Sequence, residues 1–267
     1  MSDYQMQKKV DYTERFRKIL FELPDFCALY FRAVEPTTSI LTRYGYAVDL
    51  RTFFKFLTSG QIERFSGKEI KSIRLSDLEL LSSLDIEMYL EHISLYRRDT
   101  EDGSKIVENK ERAISRKLSS IRSLFKFLYK KSLIQTNCAA LVDTPKIHEK
   151  AIIRLEANEV ADLLDVAEQG SSMSSAQRRF HDVTKLRDVA ILSLFLGTGI
   201  RISELVGIDM NDIDFAKNEF VVTRKGGNQM TLAFGPEVAQ ALLDYREERK
   251  TVIPLAGHED AFFLSIQ

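Results

Sequence analysis

Residues 187–208 read RDVAILSLFLGTGIRISELVGI, and this stretch decides how the second half of the chain folds. Its first part is mostly apolar, which predicts a helix over residues 186–196. Gly197-Thr198-Gly199 predicts the end of that helix, because glycine tolerates the left-handed backbone found after helix ends. Arg201 comes just after the break, where its side chain can leave the packed helix and face a cleft.

Downstream, the pattern changes from helical to strand-like. Residues 219–224 (EFVVTR) and 229–234 (QMTLAF) are rich in β-branched and aromatic residues, and Lys225-Gly226-Gly227-Asn228 between them has turn chemistry. We therefore predict an antiparallel hairpin. Gly235-Pro236 then predicts the start of a helix that runs to about residue 250.

The first half of the chain predicts mostly helices. Apolar residues recur every three or four positions through residues 38–59, which is helical spacing. Residues 84–95 predict a shorter helix that begins at Ser82 or Ser83. Residues 97–109 are polar, and we predict a loop there.

Residues 111–131 predict the most informative helix of this half. The apolar residues from Ile114 to Leu128 recur at helical spacing and form one buried stripe. Residues 109–131 hold eight lysines and arginines and one glutamate. The side opposite the stripe carries cations separated by small hydroxyl residues, namely Arg112, Arg116, Ser119, Ser123, Lys126 and Lys130. Such a face can approach phosphates and base edges, which predicts DNA binding, although a solvated surface is the alternative.

The composition of the 267 residues is that of an ordinary globular protein, with a net charge of −1 that indicates no particular partner. No apolar run approaches the ~20 residues of a membrane span, and the N-terminus has no secretory signal. Cys27 and Cys138 form no ligand pair and predict small core residues in a reducing compartment, so we expect a cytoplasmic protein. No cluster has metal-ligand spacing, and no metal is expected.

Residues 143–154 (DTPKIHEKAIIR) hold a proline and several charges without an amphipathic period. Such a stretch is typical of an interdomain linker. We therefore expect a first domain over residues 1–143, a linker over 144–154 and a second domain over 155–267.

The stretch GTGIRISEL at residues 197–205 closely resembles the box around the first catalytic arginine of the tyrosine recombinases, also called phage-type integrases. Asp212-Ile213-Asp214, the hairpin and Lys225-Gly226 are similar to the family's second box. Three further segments resemble its N-terminal core-binding domain: Thr42-x-Tyr44 through Phe53-x-x-Phe56, Ser115-Arg116-Lys117-Leu118-Ser119 and Pro145-Lys146. The resemblance covers nearly the whole chain in the expected order.

The resemblance implies a mainly α fold. The first domain would be a helical, SAM-like core DNA-binding domain, and the second an α-rich catalytic domain with a small antiparallel β-sheet, incomplete at its C-terminus. About 35 residues precede the helix predicted at residue 38. That length favours the simple two-domain architecture of XerC/XerD-like recombinases over one with an extra N-terminal arm-binding domain.

The resemblance also implies DNA cleavage by a tyrosine hydroxyl through a 3′-phosphotyrosyl bond, which conserves energy and requires no cofactor. Arg201 matches the first catalytic arginine, whose planar fork would hold charge on the phosphate oxygens. Glu204, three residues on, would support Arg201 by orienting it; a surface ion pair is the alternative. Lys225 matches the lysine that protonates the departing 5′-oxygen, with Arg224 as second choice and an exposed turn lysine as the alternative.

The family's His-x-x-Arg helix and its tyrosine nucleophile are not found in the sequence. None of the four histidines is followed by arginine three residues later, and none of the nine tyrosines matches the nucleophile position. Tyr245 lies nearest the end and is not nominated. We therefore expect that the chain stops before its nucleophile and is inactive as given.

The implied partner is double-stranded DNA. When complete, the protein would act as a homo- or hetero-tetramer on two DNA sites, with no membrane partner. Two other functions stay open at this point: a non-catalytic DNA-binding protein of the same fold, and a helical interaction scaffold without a nucleic-acid partner.

Overall fold

The structure is a computed structural model, and it describes residues 3–100, 103–148, 151, 153–171, 173–224 and 226–265. The chain divides into two compact units. One unit spans residues 9–150, and the other spans residues 151–267 together with the start of the first helix. None of the described helices is both long and apolar enough to cross a membrane.

The first unit is built mainly from helices around one apolar core. Its α-helices are α1 (Asp3–Glu22), α2 (Phe26–Val34), α3 (Ile40–Phe56), α4 (Leu75–Leu78), α5 (Ser83–Ser94) and α6 (Glu111–Lys130). Ser39 caps α3 by accepting a hydrogen bond from the Thr42 N–H, and Ser82 caps α5 in the same way through Asp85. The helices predicted over residues 38–59, 84–95 and 111–131 are confirmed to within a few residues.

The core of this unit is aromatic and aliphatic. Helix α6 buries the predicted stripe: Leu118, Ile121, Phe125 and Leu128 are fully buried, and Ile114 is partly buried. Helix α3 contributes Phe53 and Phe54 from the other side of the core, and Tyr89 of α5 packs edge-on against Phe53. This packing turns the opposite side of α6 away from the core.

The loop predicted over residues 97–109 was wrong. The chain forms an antiparallel hairpin there, with β1 (Leu95–Thr100) paired to β2 (Gly103–Glu108). The described side chains of β2 are exposed or half-buried. The two strand sequences, LYRRDT and GSKIVE, also lack the apolar alternation that identifies a half-buried strand. The Asp102-Gly103 dipeptide was the available sequence signal, because Asp-Gly favours tight hairpin turns.

In its described residues, the second unit contains four α-helices and a three-stranded antiparallel sheet. The helices are α7 (Ala157–Gln169), α8 (Ser175–Thr198), α9 (Ile202–Leu205) and α10 (Pro236–Arg249). The strands are β3 (Ile213–Asp214), β4 (Glu219–Thr223) and β5 (Gln229–Ala233), in the order β3-β4-β5. The predicted hairpin and the helix at Pro236 are confirmed. Helix α8 begins well before residue 186, because Ser174 and Gln177 form a capping box.

The end of the described chain packs into the second unit as an extended segment. Ala261 forms an isolated antiparallel bridge with Asp209, and Phe262 and Leu264 are buried. The buried Arg249 donates to the carbonyl oxygens of Glu259, Ala261 and Phe262. This segment therefore completes the small core formed by α8, α10 and the sheet.

Candidate functional site

Arg201 lies between two helices. Helix α8 ends at Thr198, and Gly199 follows with φ +64°, a left-handed conformation that favours glycine. The Gly199 N–H donates to the Phe195 carbonyl at 2.8 Å and closes the helix end. Arg201 then takes the N-cap position of α9 with extended backbone, and 71% of its side chain is exposed. The break at Gly199 thus presents the Arg201 guanidinium at the surface of the protein.

Glu204 orients the guanidinium of Arg201. Its side chain is only 4% exposed, its Oε1 accepts from Arg201 Nη1 at 2.9 Å, and its Oε2 accepts from the Arg201 backbone N–H at 3.0 Å. One carboxylate therefore fixes both the backbone and the side chain of Arg201. In a mobile ion pair on the protein surface both side chains would be exposed, whereas here the side chain of Glu204 is buried.

The electrostatic environment keeps Glu204 ionised. Burial by itself would raise the pKa of Glu204, but the hydrogen bonds from Arg201 and the positive charges of Arg201 and Arg224 outweigh burial. The net result is a pKa below the ordinary glutamate value. Arg224 is exposed at the end of β4, so the fold brings a second cation near the carboxylate that supports Arg201.

Lys225 lies outside the described residues. The turn around it is described: the Arg224 N–H donates to the Asn228 carbonyl at 2.8 Å, and the Gly227 N–H donates to the Arg224 carbonyl at 3.0 Å. Gly226 and Gly227 have φ values of 97° and 86°, which glycine adopts without strain. Strands β4 and β5 therefore end in a tight turn beside Arg224.

Tyr245 is a core residue. Its side chain is almost fully buried on α10, its ring stacks on Phe263, and its hydroxyl oxygen accepts from the Leu264 N–H at 2.9 Å. Burial raises the pKa of the Tyr245 phenol, although the hydrogen bond and the nearby arginines lower it in part. A nucleophile needs access to DNA and an activated oxygen, and Tyr245 has neither.

A second candidate surface is the side of α6 that faces away from the core. Arg112, Arg116, Ser119, Lys126 and Lys130 are all exposed there. Ser123 is half-buried, and its Oγ accepts from the Tyr30 hydroxyl at 2.8 Å, so it also anchors α6 to α2. The structure thus places the six predicted residues along one side of the helix, with Ser123 nearest the core.

Arg116 differs from the other cations of this surface. Its guanidinium makes a bidentate ion pair with Asp49 of α3, although 53% of the side chain stays exposed. Asp49 was not among the residues predicted from the sequence. A lone acidic residue inside the apolar run Ala47-Val48-Asp49-Leu50 was the available signal, because a buried carboxylate requires a partner.

The chain is similar to a family of DNA-processing proteins. Residues 153–265 match the sequence model of the phage integrase family. A protein named tyrosine recombinase XerC from Chlorobaculum tepidum is 30% identical, and the match covers 79% of this chain and 59% of that protein. A tyrosine recombinase XerS from Lactococcus lactis is 26% identical, with coverage of 97% and 77%.

Solved structures share the fold. The Tn1549 transposon integrase in complex with transposon right end DNA has a TM-score of 0.59 at 18% identity, and the match covers 90% of this chain and 70% of that one. A lambda integrase dimer bound to a core site has a TM-score of 0.55 at 16% identity, with coverage of 89% and 71%. The mainly α fold with small antiparallel sheets is confirmed. The chain spans 59% to 68% of the length of the first three curated relatives.

Proposed function

We propose, since this chain belongs to the phage integrase family of tyrosine recombinases, that it acts in site-specific DNA recombination. In this reaction DNA strands are cut and rejoined through a 3′-phosphotyrosyl intermediate. The observation that carries the proposal is the pair of Arg201 and Glu204, in which a buried carboxylate holds an exposed guanidinium at the break between α8 and α9.

Arg201 would bind the phosphate under attack. In the transition state of phosphoryl transfer, negative charge increases on the non-bridging oxygens, and a preoriented donor stabilises that charge more than it stabilises the ground state. Glu204 accepts hydrogen bonds from Arg201 Nη1 and from the Arg201 backbone N–H. More than two thirds of the Arg201 side chain stays exposed and can bind a ligand. Glu204 is a positioning residue in this scheme.

Lys225 would protonate the departing 5′-oxygen. An alkoxide is a poor leaving group, so cleavage needs a proton donor close to the scissile bond. The support comes from the sequence: Lys225 directly follows Arg224, whose positive charge lowers the pKa of Glu204. Arg224 is the alternative donor of positive charge at this site.

The exposed side of α6 would bind DNA phosphates. Arg112, Lys126 and Lys130 present charge along it, and Ser119 leaves room for close approach. One solved neighbour is an integrase in complex with transposon right end DNA, and another is an integrase dimer bound to a core site, which supports DNA as the partner here. We propose that this DNA is double-stranded. We further propose a tetramer, of one or two kinds of subunit, on two DNA sites, and a location in the cytoplasm.

The experiment begins with DNA selection. The protein is incubated with duplexes of random sequence, bound duplexes are recovered, and the cycle is repeated. We expect one short sequence to be enriched and to bind roughly 10³-fold or more tightly than unrelated DNA, which is the usual ratio for specific DNA-binding proteins. Enrichment of no sequence would contradict the proposal and favour a helical interaction scaffold.

Recombination is then tested with the selected sequence. Two direct copies flank a reporter on a plasmid in the cells of the source organism, and the protein is expressed from its own gene. We expect deletion of the reporter, and we expect Arg201→Ala to abolish it while specific binding persists. Specific binding without deletion would overturn the recombinase proposal in favour of a non-catalytic DNA-binding protein of this fold.

A further inference from the structure

Arg122 directs all three nitrogens of its guanidinium into one short segment of chain. Its Nε donates to the Ala139 carbonyl at 3.2 Å, its Nη1 donates to the Thr144 hydroxyl at 2.7 Å, and its Nη2 donates to the Val142 carbonyl. Arg122 lies on α6, one turn before Lys126, which is one of the exposed cations of that helix. We call residues 139–144 the exit segment, because it leads into the predicted linker.

Within the described residues up to 148, the exit segment is the last part of the first unit that is held by side-chain hydrogen bonds. Ala139 and Val142 are buried, whereas Leu141 and Thr144 are exposed. In the described stretch 145–148 the chain has no regular structure and makes none of the side-chain hydrogen bonds or ion pairs found for the exit segment. The contact between Arg122 and Thr144 therefore marks the point at which the linker begins.

We propose that Arg122 is a positioning residue that fixes where the linker leaves the DNA-binding unit, and thereby sets the reach of the second unit on DNA. An arginine suits this task, since its rigid fork satisfies two backbone carbonyls and a hydroxyl at once. Because the same helix carries the proposed DNA-binding surface, α6 would fix both the DNA and the start of the tether. The consequence for DNA rests on the proposed function, and the position of the linker does not.

The size of the effect follows from the length of the tether. Complete release of the exit segment would lengthen a tether of about ten residues to about sixteen, and effective concentration falls with roughly the −3/2 power of length. Because Ala139 and Val142 are buried and still hold part of the segment, loss of Arg122 should weaken DNA binding by at most about twofold. The greater effect is on geometry. A longer tether tolerates changes in the distance between the DNA regions that the two units bind.

The first measurement is the rate of trypsin cleavage after Lys146 in the folded, full-length chain. A protease binds several residues on each side of the cleaved bond in extended form. The exit segment is held by Arg122, so the residues before Lys146 cannot adopt that form freely. We expect Thr144→Val, an exposed and nearly isosteric change, to speed this cleavage modestly, and Arg122→Ala to speed it severalfold. Arg122→Lys keeps one donor nitrogen, so its cleavage rate should lie between the rates of the wild type and of Arg122→Ala.

Lys126→Ala is the matched control, because Lys126 is an exposed cation of α6 that makes no recorded contact with the exit segment. A general loss of stability would speed cleavage at sites throughout both units, so the rate at Lys146 is compared with those sites. If Arg122→Ala folds, as circular dichroism reports, and Lys146 is cleaved at the wild-type rate, the proposal is overturned. If Arg122→Ala does not fold, Thr144→Val decides in the same way.

The second measurement uses the selected DNA sequence with one or two base pairs added near its centre. We expect the wild type to lose affinity for these duplexes and Arg122→Ala to lose clearly less, because a longer tether accommodates the change. A variant that is merely less stable would lose as much affinity for the lengthened duplexes as the wild type does. If Arg122→Ala behaves in this way, Arg122 does not set the reach of the second unit on DNA. A chain that binds no DNA would refute the proposed function, and the trypsin result would still decide the position of the linker.

Discussion

Asp49 is completely buried on α3 and forms a bidentate ion pair with Arg116 on α6, 67 residues further along the chain. Lys117 Nζ lies 3.2 Å from Asp49 Oδ1, and the Ser120 hydroxyl donates to Oδ2 at 2.8 Å. Three side chains of one helix thus converge on one carboxylate. Arg116 therefore acts as a structural anchor at the edge of the proposed DNA surface, which a helical-wheel argument could not show.

Asp49→Ala should destabilise the first unit by about 3–5 kcal/mol, because it leaves buried cationic donors without their partner. Lys117 bears most of this cost, since only 10% of its side chain is exposed. Chemical denaturation followed by circular dichroism measures the change. Asp143→Ala removes an exposed carboxylate from the same unit and should change stability by less than about 0.5 kcal/mol. Equal effects of the two substitutions would contradict the anchoring role.

Replacing Lys126 and Lys130 together with alanine should weaken DNA binding and flatten its salt dependence. Each neutralised phosphate contributes about −0.9 to the slope of log K against log salt concentration, so the slope should fall in magnitude by up to about 1.8. The same double change at Lys18 and Lys55, which are exposed on α1 and α3, removes equal charge and should leave the slope unchanged. An unaltered slope in the Lys126 and Lys130 variant would remove this face of α6 from the interface.

In a chain that also carries the family's tyrosine nucleophile, Arg201→Lys should lower the rate of strand cleavage by roughly 10²–10³ while DNA affinity changes little. Lysine keeps the charge but has no planar fork with which to bind two phosphate oxygens. The rate is read from covalent protein–DNA product on a duplex nicked near the cleavage site. Lys217→Arg, an exposed basic change in the same unit, serves as the control. Near wild-type cleavage by Arg201→Lys would refute the assignment.

In a chain that also carries the tyrosine nucleophile, Lys225→Ala should slow cleavage of ordinary DNA, and a substrate whose bridging 5′-oxygen is replaced by sulfur should restore the rate. A thiolate leaves without a proton, so the substrate supplies what the variant lacks. Cleavage rates of both substrates by both proteins form the test. An equal loss of rate on the two substrates would show that Lys225 positions the DNA and does not protonate the departing oxygen. Arg224→Ala, measured in parallel, tests the alternative donor.

Glu204→Gln should remove a pH-dependent part of the stability of the second unit. The pKa of Glu204 lies below the ordinary value of 4.5, so the folded state favours the ionised form. This stabilisation is fully present above pH 4.5 and is lost as the pH falls through the lowered pKa of the folded state. Thermal unfolding from pH 7 downward should show the two proteins converging in acid. Glu168→Gln, an exposed change on α7, should show no such convergence.

The sequence predicted what depends on local periodicity. Helix α6 and the β4-β5 hairpin were found because their patterns of apolar residues and turn residues are short-range. Arg201 and Glu204 were paired in advance because they are three residues apart. The β1-β2 hairpin was missed because its exposed side chains carry no alternating pattern.

Contacts between distant segments were beyond such reasoning. The pairing of Asp49 with Arg116 and the three bonds from Arg122 to the exit segment join residues that are far apart in sequence. Periodicity places Arg116 on the outer side of its helix, and it says nothing about a carboxylate that reaches it from α3. The influence of Arg224 on Glu204 likewise depends on how the sheet packs near α9.

The location and the orientation of Arg201 are set by two different residues, and the positions between Arg201 and Glu204 hold neither of them. The backbone break at Gly199 sets where the arginine lies, and the carboxylate of Glu204 sets where it points. Ile202 and Ser203 stand between them, and both are exposed. Because neither side chain holds the guanidinium, we expect substitutions at these two positions to change the surroundings of Arg201 and to leave its place and direction unaltered.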